Sequence, residues 1–492
     1  MKKDLLKGAL WLSAAKLLVN IIAFISTIVF ARILLPDDFG LVSFALAIFG
    51  LITAVTDLSL ASALVQKNEI HEEHFHTAFT MNAIRGGLVA FILFSAAPFI
   101  TQSYGDHRLE LILRALSVVL LISGFGNPKI VTFTRNLKFW QEFVINVTQK
   151  LLGFLVGVAI GYLYHSYWAL VIAGIVHQLT GLIVSYILIP YKPKFSLVYV
   201  KDLWSFSVWL TLCQAAININ MKFDQFLIGS KLGNNTLGIY SVGDNLSTTP
   251  TREMIAPIEA TLFPAFSKIG SDIPRLQKAY LRSQGLIAFI AIPVGVTIAL
   301  FSDLIIHLFL GERWIGAATV MQYIAVLVSL QTLASPAHQL AMSQGMTKNI
   351  FYRDMATLLV RIPLLIIGYI SNGLIGILIA RFTSNFFTIL LNMLMVKKIL
   401  SVPLLIQIDS NMRTIAGALI MSLTILLLKE YVPIPSDFVM RLSYLIFGGL
   451  ASIVIYLSVT FGLNAQLRSV ISPEHEIIKL IESLKEKIKK ST

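Results

Sequence analysis

The sequence predicts an all-α integral membrane protein of about 14 transmembrane helices, and three observations lead there. The 492 residues are 56% hydrophobic and only 13% charged, against roughly 45–50% and 25% in soluble domains. The apolar residues gather into segments of about 20, the length that crosses a bilayer core. The chain also repeats itself at a fixed offset. Two six-helix lobes, a parallel pseudo-repeat around a central cavity, are therefore expected, with two extra helices after them.

The spanning segments are 10–33, 40–65, 77–101, 109–127, 140–163, 167–190, 204–228, 238–264, 279–301, 316–342, 352–370, 373–396, 411–431 and 441–463. Prolines interrupt the eighth, at Pro250 and Pro257, and the tenth, at Pro336. The first segment has the basic start of a signal peptide. It is too long for one, Lys16 breaks it, and no Ala-x-Ala site follows, so it reads as an uncleaved membrane helix.

The net charge of +13 is read here as an orientation signal rather than as a nucleic-acid footprint. Lys2, Lys3, Lys7, Lys67, Lys129, Arg135, Lys192, Lys194 and Lys201 fall on one side; Arg32, Arg108, Lys231 and Arg313 represent the sparse other side. This asymmetry places both termini in the cytoplasm.

The expected division is 1–195 for helices 1–6, 196–405 for helices 7–12, 406–463 for helices 13–14, and 464–492 for a cytoplasmic tail. Ser472-Pro473-Glu474 opens the tail with a cap signal. Ile477, Ile478, Ile481, Leu484 and Ile488 then fit either an amphipathic helix on the inner surface or a solvated tail. The longest outer loop, Ser302 to Ile315, is partly apolar and is expected to dip into the interface.

The repeat is carried by several matches. At an offset of 198, Phe39-Gly40-Leu41 aligns with Leu237-Gly238-Ile239, and GLVAFI at Gly87 with GLIAFI at Gly285. Farther on, Pro128 pairs with Pro336 and Gly161-Tyr162 with Gly368-Tyr369. Polar residues recur as well. Ser207, Thr211, Gln214, Asn218 and Gln225 lie within about 60° on one helix face. Ser13, Lys16, Asn20 and Thr27 fall opposite them in the first repeat. Six helices per repeat give both copies the same orientation, as in transporters whose lobes rock to give alternating access.

Ionisable residues inside spans each cost about 2.5–3.5 kcal/mol on insertion scales unless paired or hydrated. Cations predominate, which suits an anionic ligand, and arginine suits phosphate. The candidate cavity residues are Lys16, Asn20, Gln214, Asn218, Arg252, Arg361, Arg381, Lys150, Arg85 and Arg282. Lys16 either contacts ligand or snorkels to the inner surface. Arg85 and Arg282, near-equivalent in the repeat, either tether bilayer phosphates or act in substrate entry. Asp244, Arg252 and Glu259 share a face and are expected to form a buried ion-pair network. Arg381, Asn385, Thr388 and Asn392 form a stripe that is either lobe-internal or cavity-lining. Asp57 and Asp224 are the candidates for carrying a coupling H+ or Na+.

Enzyme signatures are missing from the sequence. No GxxxxGK[ST] loop occurs, no cofactor is expected, and the single cysteine, Cys213, lies in an apolar run. The run His71-Glu72-Glu73-His74-Phe75-His76 looks metal-binding, but HEEHFH is not HExxH, and a solvated inner loop is expected.

The run FARILLPDDFGLVSFALAI (Phe30–Ile48) resembles the turn between the first two helices of Wzx-type polysaccharide flippases. LASALVQKNEI (Leu60–Ile70), DQFLIGSKLGNNTLGIYSVGDNL (Asp224–Leu246), TLFPAFSKI (Thr261–Ile269) and FLGERW (Phe309–Trp314) extend the resemblance over both lobes. Together they are most similar to the colanic acid exporter branch of the multidrug/oligosaccharidyl-lipid/polysaccharide exporter superfamily. The resemblance implies flipping of undecaprenyl-pyrophosphate-linked oligosaccharide repeat units from the inner to the outer leaflet of the cytoplasmic membrane. That transport would serve exopolysaccharide, capsule or O-antigen synthesis. It also implies a cavity lined by helices 1, 2, 7 and 8, and partnership with the polymerase and chain-length machinery. The alternatives are a lipid II or multidrug exporter of the same superfamily, or a membrane-embedded polysaccharide polymerase. A polymerase should carry a long outer loop, and none is present.

Overall fold

The computed structural model describes residues 2–66, 69–136, 140–435 and 437–466, without the side chains of 2–10, 12, 13, 66, 134, 205–213 and 463–466. The expected tail helix and the side chains of Ser13, Ser207, Thr211 and Cys213 lie outside the described residues. Helices dominate, and no strand occurs among the described residues. Among the described residues, ten helical segments are long and apolar enough to cross a membrane. Large apolar side chains face outward, such as Phe99 at 73%, Ile370 at 74% and Phe447 at 71% exposure. A lipid solvent explains that surface; water does not.

The chain divides into two compact units, Met1–Val242 and Gly243–Thr492. In the first, α1 (Lys2–Ile33) turns directly into α2 (Pro36–Thr56). Pro36 suits the first helical position because its fixed φ is already helical, and Asp37 and Asp38 complement the helix N-terminus. The expected single span over 40–65 is broken. Asp57 ends α2, Ser59 takes φ +47°, and α3 (Leu60–Gln66) starts anew. Next come α4 (Glu72–Tyr104), closed by Gly105 in the left-handed conformation, and α5 (Arg108–Gly124). A 3-10 turn at Pro128–Ile130 leads to α6 (Val131–Arg135). The pair α7 (Trp140–Tyr164) and α8 (Trp168–Leu188) packs along α1. Then α9 (Val200–Ile269) runs in two arms broken at Gly233, whose φ of +83° a side chain would strain.

The second unit opens with the rest of α9 and α10 (Ile273–Leu300), where the Asp272 carboxylate accepts from the Arg275 N–H. The expected interfacial loop at 302–315 is instead packed structure. α11 (Ser302–Phe309) buries Leu304, Ile306 and Leu308, and a 3-10 turn buries Trp314. Leu304 and Leu308 fill a core with Phe289, Met421 and Tyr456. α12 (Gly316–Gln331) passes through a 3-10 turn at Thr332–Ala334 into α13 (Pro336–Ser343). α14 (Thr347–Leu400) holds two expected spans, separated where Gly373 takes φ +52°. α15 (Leu404–Asp409), α16 (Met412–Tyr431) and α17 (Phe438–Gln466) complete the unit.

The pseudo-repeat has local counterparts in each unit. Its aligned prolines, Pro128 and Pro336, both stand where the fourth helix of a repeat is interrupted by a 3-10 turn. Its aligned glycines, Gly161 and Gly368, both lie at close helix contacts. A Cβ on Gly161 would press on Ala169 of α8, and one on Gly368 would overlap the Gly376 carbonyl. Small residues let helix backbones approach in lipid, where packing rather than water drives association.

Candidate functional site

Two of the runs that carry the family resemblance, Phe30–Ile48 and the part of Asp224–Leu246 up to Val242, meet in the first unit, and they meet as packing. A Cβ on Gly40 would overlap the Asn234 carbonyl, and one on Gly238 would overlap that of Pro36. Glycine at both positions therefore lets the start of α2 cross the second arm of α9 backbone to backbone. Beside this crossing, Arg108 gathers three carboxylates: Asp37 at 2.7 Å, Asp38 at 3.3 Å and Asp106 at 2.8 Å. The Asn234 amide donates to Asp106 at 3.0 Å, and the Tyr104 hydroxyl donates to Asn234 Oδ1 at 2.5 Å. Hydrogen bonds from Arg108 hold the Asp106 carboxyl below the usual carboxylate range against an opposing effect of burial.

Of the polar stripe, Lys16 and Gln214 are exposed, while Asn20 and Asn218 are half-buried. Asn218 donates back to the Gln214 carbonyl at 2.9 Å, and the buried Thr27 hydroxyl donates to the Ala23 carbonyl. Such i−4 bonds satisfy a polar group inside its own helix. Lys16 makes no such local contact.

The two coupling candidates stand in unlike surroundings. Asp57, expected inside a span, caps α2 at its break and has a side chain 60% exposed. It pairs with Arg85 of α4 at 3.4 Å. Asp224 is 1% exposed and lies between donors: Tyr240 Oη at 2.5 Å from Oδ2, and the Gln225 N–H at 2.9 Å from Oδ1. The Tyr240 bond joins the two arms of α9 across Gly233.

In the second unit, the expected network of Asp244, Arg252 and Glu259 does not form as read. Arg252 is exposed. Asp244 instead meets Arg381 of α14 at 2.9 Å, a charge contact without hydrogen-bond alignment, with side chains only 21% and 13% exposed. Periodicity along one helix could not show a partner that arrives from another. The Arg381 stripe is satisfied inside the unit: the Asn385 amide donates to Leu327, Thr388 meets Thr357, and Asn392 accepts from Arg353 at 2.9 Å. Arg353 also holds its neighbour Asp354 at 2.6 Å, a half-buried pair. Lys150 of α7 and Arg361 of α14 are half-buried, and Arg282 of α10 is exposed.

The His-rich run is the clearest correction. It opens α4 rather than forming a solvated loop; His74 is 1% and His76 7% exposed. His74 stacks on Tyr199 at 3.8 Å between ring centroids. His76 Nδ1 lies 2.7 Å from Tyr191 Oη and 3.4 Å from the Lys194 nitrogen. The Lys194 amide can only donate, so Nδ1 is the acceptor nitrogen and the proton sits on Nε2. The backbone N–H groups of Ser196 and Tyr199 donate to Thr80 and Thr77. The extended segment after α8 is thereby strapped along α4. Among the described residues no cluster fit to hold a metal occurs. The signal in the sequence was a pair of tyrosines more than a hundred residues from the histidines, which spacing cannot connect.

The sequence model of a family described as polysaccharide biosynthesis protein matches residues 29–319. Lipopolysaccharide biosynthesis protein WzxC of Escherichia coli (strain K12) is 24% identical over 385 residues, 77% of each chain. Teichuronic acid biosynthesis protein TuaB of Bacillus subtilis (strain 168) is 22% identical, over 73% of this chain and 75% of its own. Succinoglycan biosynthesis transport protein ExoT of Rhizobium meliloti (strain 1021) is 23% identical over 83% of both chains. Among solved structures, the lipid II flippase MurJ in an inward closed conformation aligns with a TM-score of 0.76 at 16% identity, covering 93% of this chain and 99% of its own. An inward-facing MATE family transporter of the MOP superfamily aligns with a TM-score of 0.58 at 14% identity, over 77% of this chain and 95% of its own. The resemblance to Wzx-type flippases and the all-α membrane transporter fold are both borne out.

Proposed function

Because this chain belongs to the polysaccharide biosynthesis protein family, we propose that it flips polyprenyl-pyrophosphate-linked oligosaccharide repeat units from the inner to the outer leaflet of the cytoplasmic membrane. The family match over residues 29–319 carries this reading. The names of the relatives, which speak of lipopolysaccharide, teichuronic acid and succinoglycan, support it. The chain works as a transporter by alternating access, and the chemistry of the substrate stays with the lipid and its sugar.

Lys16 and Lys150 are the cations proposed to meet the pyrophosphate, because among the described residues neither faces a carboxylate in an ion pair, and Arg361 is proposed with them for its place inside a spanning helix. Arg85 and Arg381 already face Asp57 and Asp244. They serve the substrate only if those pairs open during the cycle. Coupling to H+ or Na+ belongs to the same proposal, with Asp57 and Asp224 as its carriers.

The test is deletion of the gene followed by tracing of radiolabelled lipid-linked repeat units. Accumulation on the inner leaflet is expected. Normal export accompanied by loss of long chains would instead mark a polymerase. In the complemented strain, Lys16→Gln, Arg361→Gln and Asp57→Asn should each lower export while the protein still inserts. Unchanged export in all three would remove the proposed residues from the transport path.

A further inference from the structure

The first unit contains a polar cavity that the candidate residues do not touch. Its volume is about 400 Å³, within the range of roughly 300–1,000 Å³ typical of small-molecule sites. Glu142, Asn146 and Gln149 of α7 line it from positions one and two turns apart, on one face of the helix. Gln178 and Ser185 of α8 face them.

Gly181 shapes this space. A Cβ there would meet the Gln149 Oε1, the far end of a flexible side chain, so glycine leaves room for that amide to lie across α8 in this pose. Gln149 Nε2 donates to Asn146 Oδ1 at 3.2 Å. The amide nitrogen of Asn146 and both polar atoms of Gln178 have no hydrogen-bond partner among the described residues. Asn146 is exposed and Gln178 half-buried, so on these membrane-spanning helices both amides are open to water or a polar ligand.

On the other side of Leu182 lies an apolar groove of about 510 Å³, lined by Phe79, Phe125, Ile183 and Ile187. Leu182 lines both spaces. A polar chamber and an apolar groove that share a wall, both in spanning helices, match the two halves of one amphiphile. Among the described residues, Glu142 is the only charged side chain lining the chamber. A carboxylate among side-chain amides suits hydroxyl groups, which both donate and accept.

Resting on the proposed transport of lipid-linked sugars, we infer that this chamber receives the sugar of such a lipid while its polyprenyl chain lies in the groove beyond Leu182. The test uses the purified full-length protein and two probes, undecaprenyl pyrophosphate carrying one hexose and undecaprenyl pyrophosphate without sugar, with bound lipid read by native mass spectrometry. The wild type should prefer the sugar-bearing lipid. Asn146→Leu should cut that preference by about fivefold, one lost hydrogen bond, and leave binding of the sugar-free lipid unchanged. Gln178→Met, on the opposite helix, should do the same and serves if the first variant does not insert. Ile183→Trp, which fills the groove, should weaken both lipids equally. Equal binding of the two lipids by the wild type, or full preference in both amide variants, overturns the inference alone. Binding of neither lipid overturns the transport reading, and this inference with it.

Discussion

Arg381 and Asp244 show how a charge is carried inside a lipid-embedded unit. Arg381 offsets the cost of Asp244, so its loss leaves a mostly buried carboxylate without that partner, a penalty of about 3–5 kcal/mol. Arg381→Leu should therefore lower the thermal stability of the detergent-solubilised protein sharply. The double variant Arg381→Leu with Asp244→Leu should recover most of the loss, and a double variant as unstable as the single would exclude the pair. Asp106 makes a different prediction, because it lies in a turn outside the spans. Its folded pKa is depressed, so its contribution is fully present above the unfolded value and fades as pH falls through the lower folded value. The stability gap between wild type and Asp106→Asn should be open at pH 7 and close below about pH 3.9, the unperturbed value for aspartate. A gap that persists undiminished into acid would assign the effect to packing. These residues were also the least legible in the sequence. Charge inside an apolar run marked Asp57, Asp224, Asp244 and Arg381 as unusual, yet no pattern along one helix revealed that Arg85, Tyr240 or another unit-internal side chain would meet them.

At the scale of elements the sequence was far more informative. Hydrophobic length located helices throughout, because a spanning helix must be long and apolar and little else satisfies backbone polarity in lipid. What it missed were the interruptions. The break at Asp57–Ser59 and the 3-10 turns at Pro128–Ile130 and Thr332–Ala334 sit inside apolar stretches, where hydropathy is blind to φ and ψ. Glycine pairs were visible in the repeat, and their role is steric. Gly238→Ala places a methyl group on the Pro36 carbonyl with only backbone to yield. It should cost about 1–3 kcal/mol, the scale of overpacking, measured as a lower melting temperature. Gly174→Ala, where a Cβ meets nothing, is the control and should leave that temperature unchanged. Equal melting of both variants would dismiss the crossing as a constraint.

For the whole molecule, the two carboxylates proposed for coupling separate by environment. Asp57 stands at a helix break with its side chain largely exposed, whereas Asp224 is buried and already accepts from Tyr240 and Gln225. Under an imposed H+ or Na+ gradient, Asp57→Asn should abolish gradient-driven export, and Asp224→Asn should chiefly lower stability. The reverse result would exchange their roles. The fold class was legible from composition, since a surface of outward Phe, Leu and Ile has one compatible solvent. The site was legible only as a list of candidates, because ligand chemistry depends on which side chains converge.

The strap along α4 bears on how freely this chain can drift. Its anchors are main-chain N–H groups of Lys194, Ser196 and Tyr199, received by His76, Thr80 and Thr77. Any residue except proline supplies such a donor. The side chains of Lys194 and Ser196 can therefore change without removing these donors, whereas Tyr191 and Tyr199 also hold the strap through their side chains, against His76 and His74. A proline at position 196 is the informative exception: it removes the donor to Thr80 and should expose the segment to protease cleavage that the wild type resists.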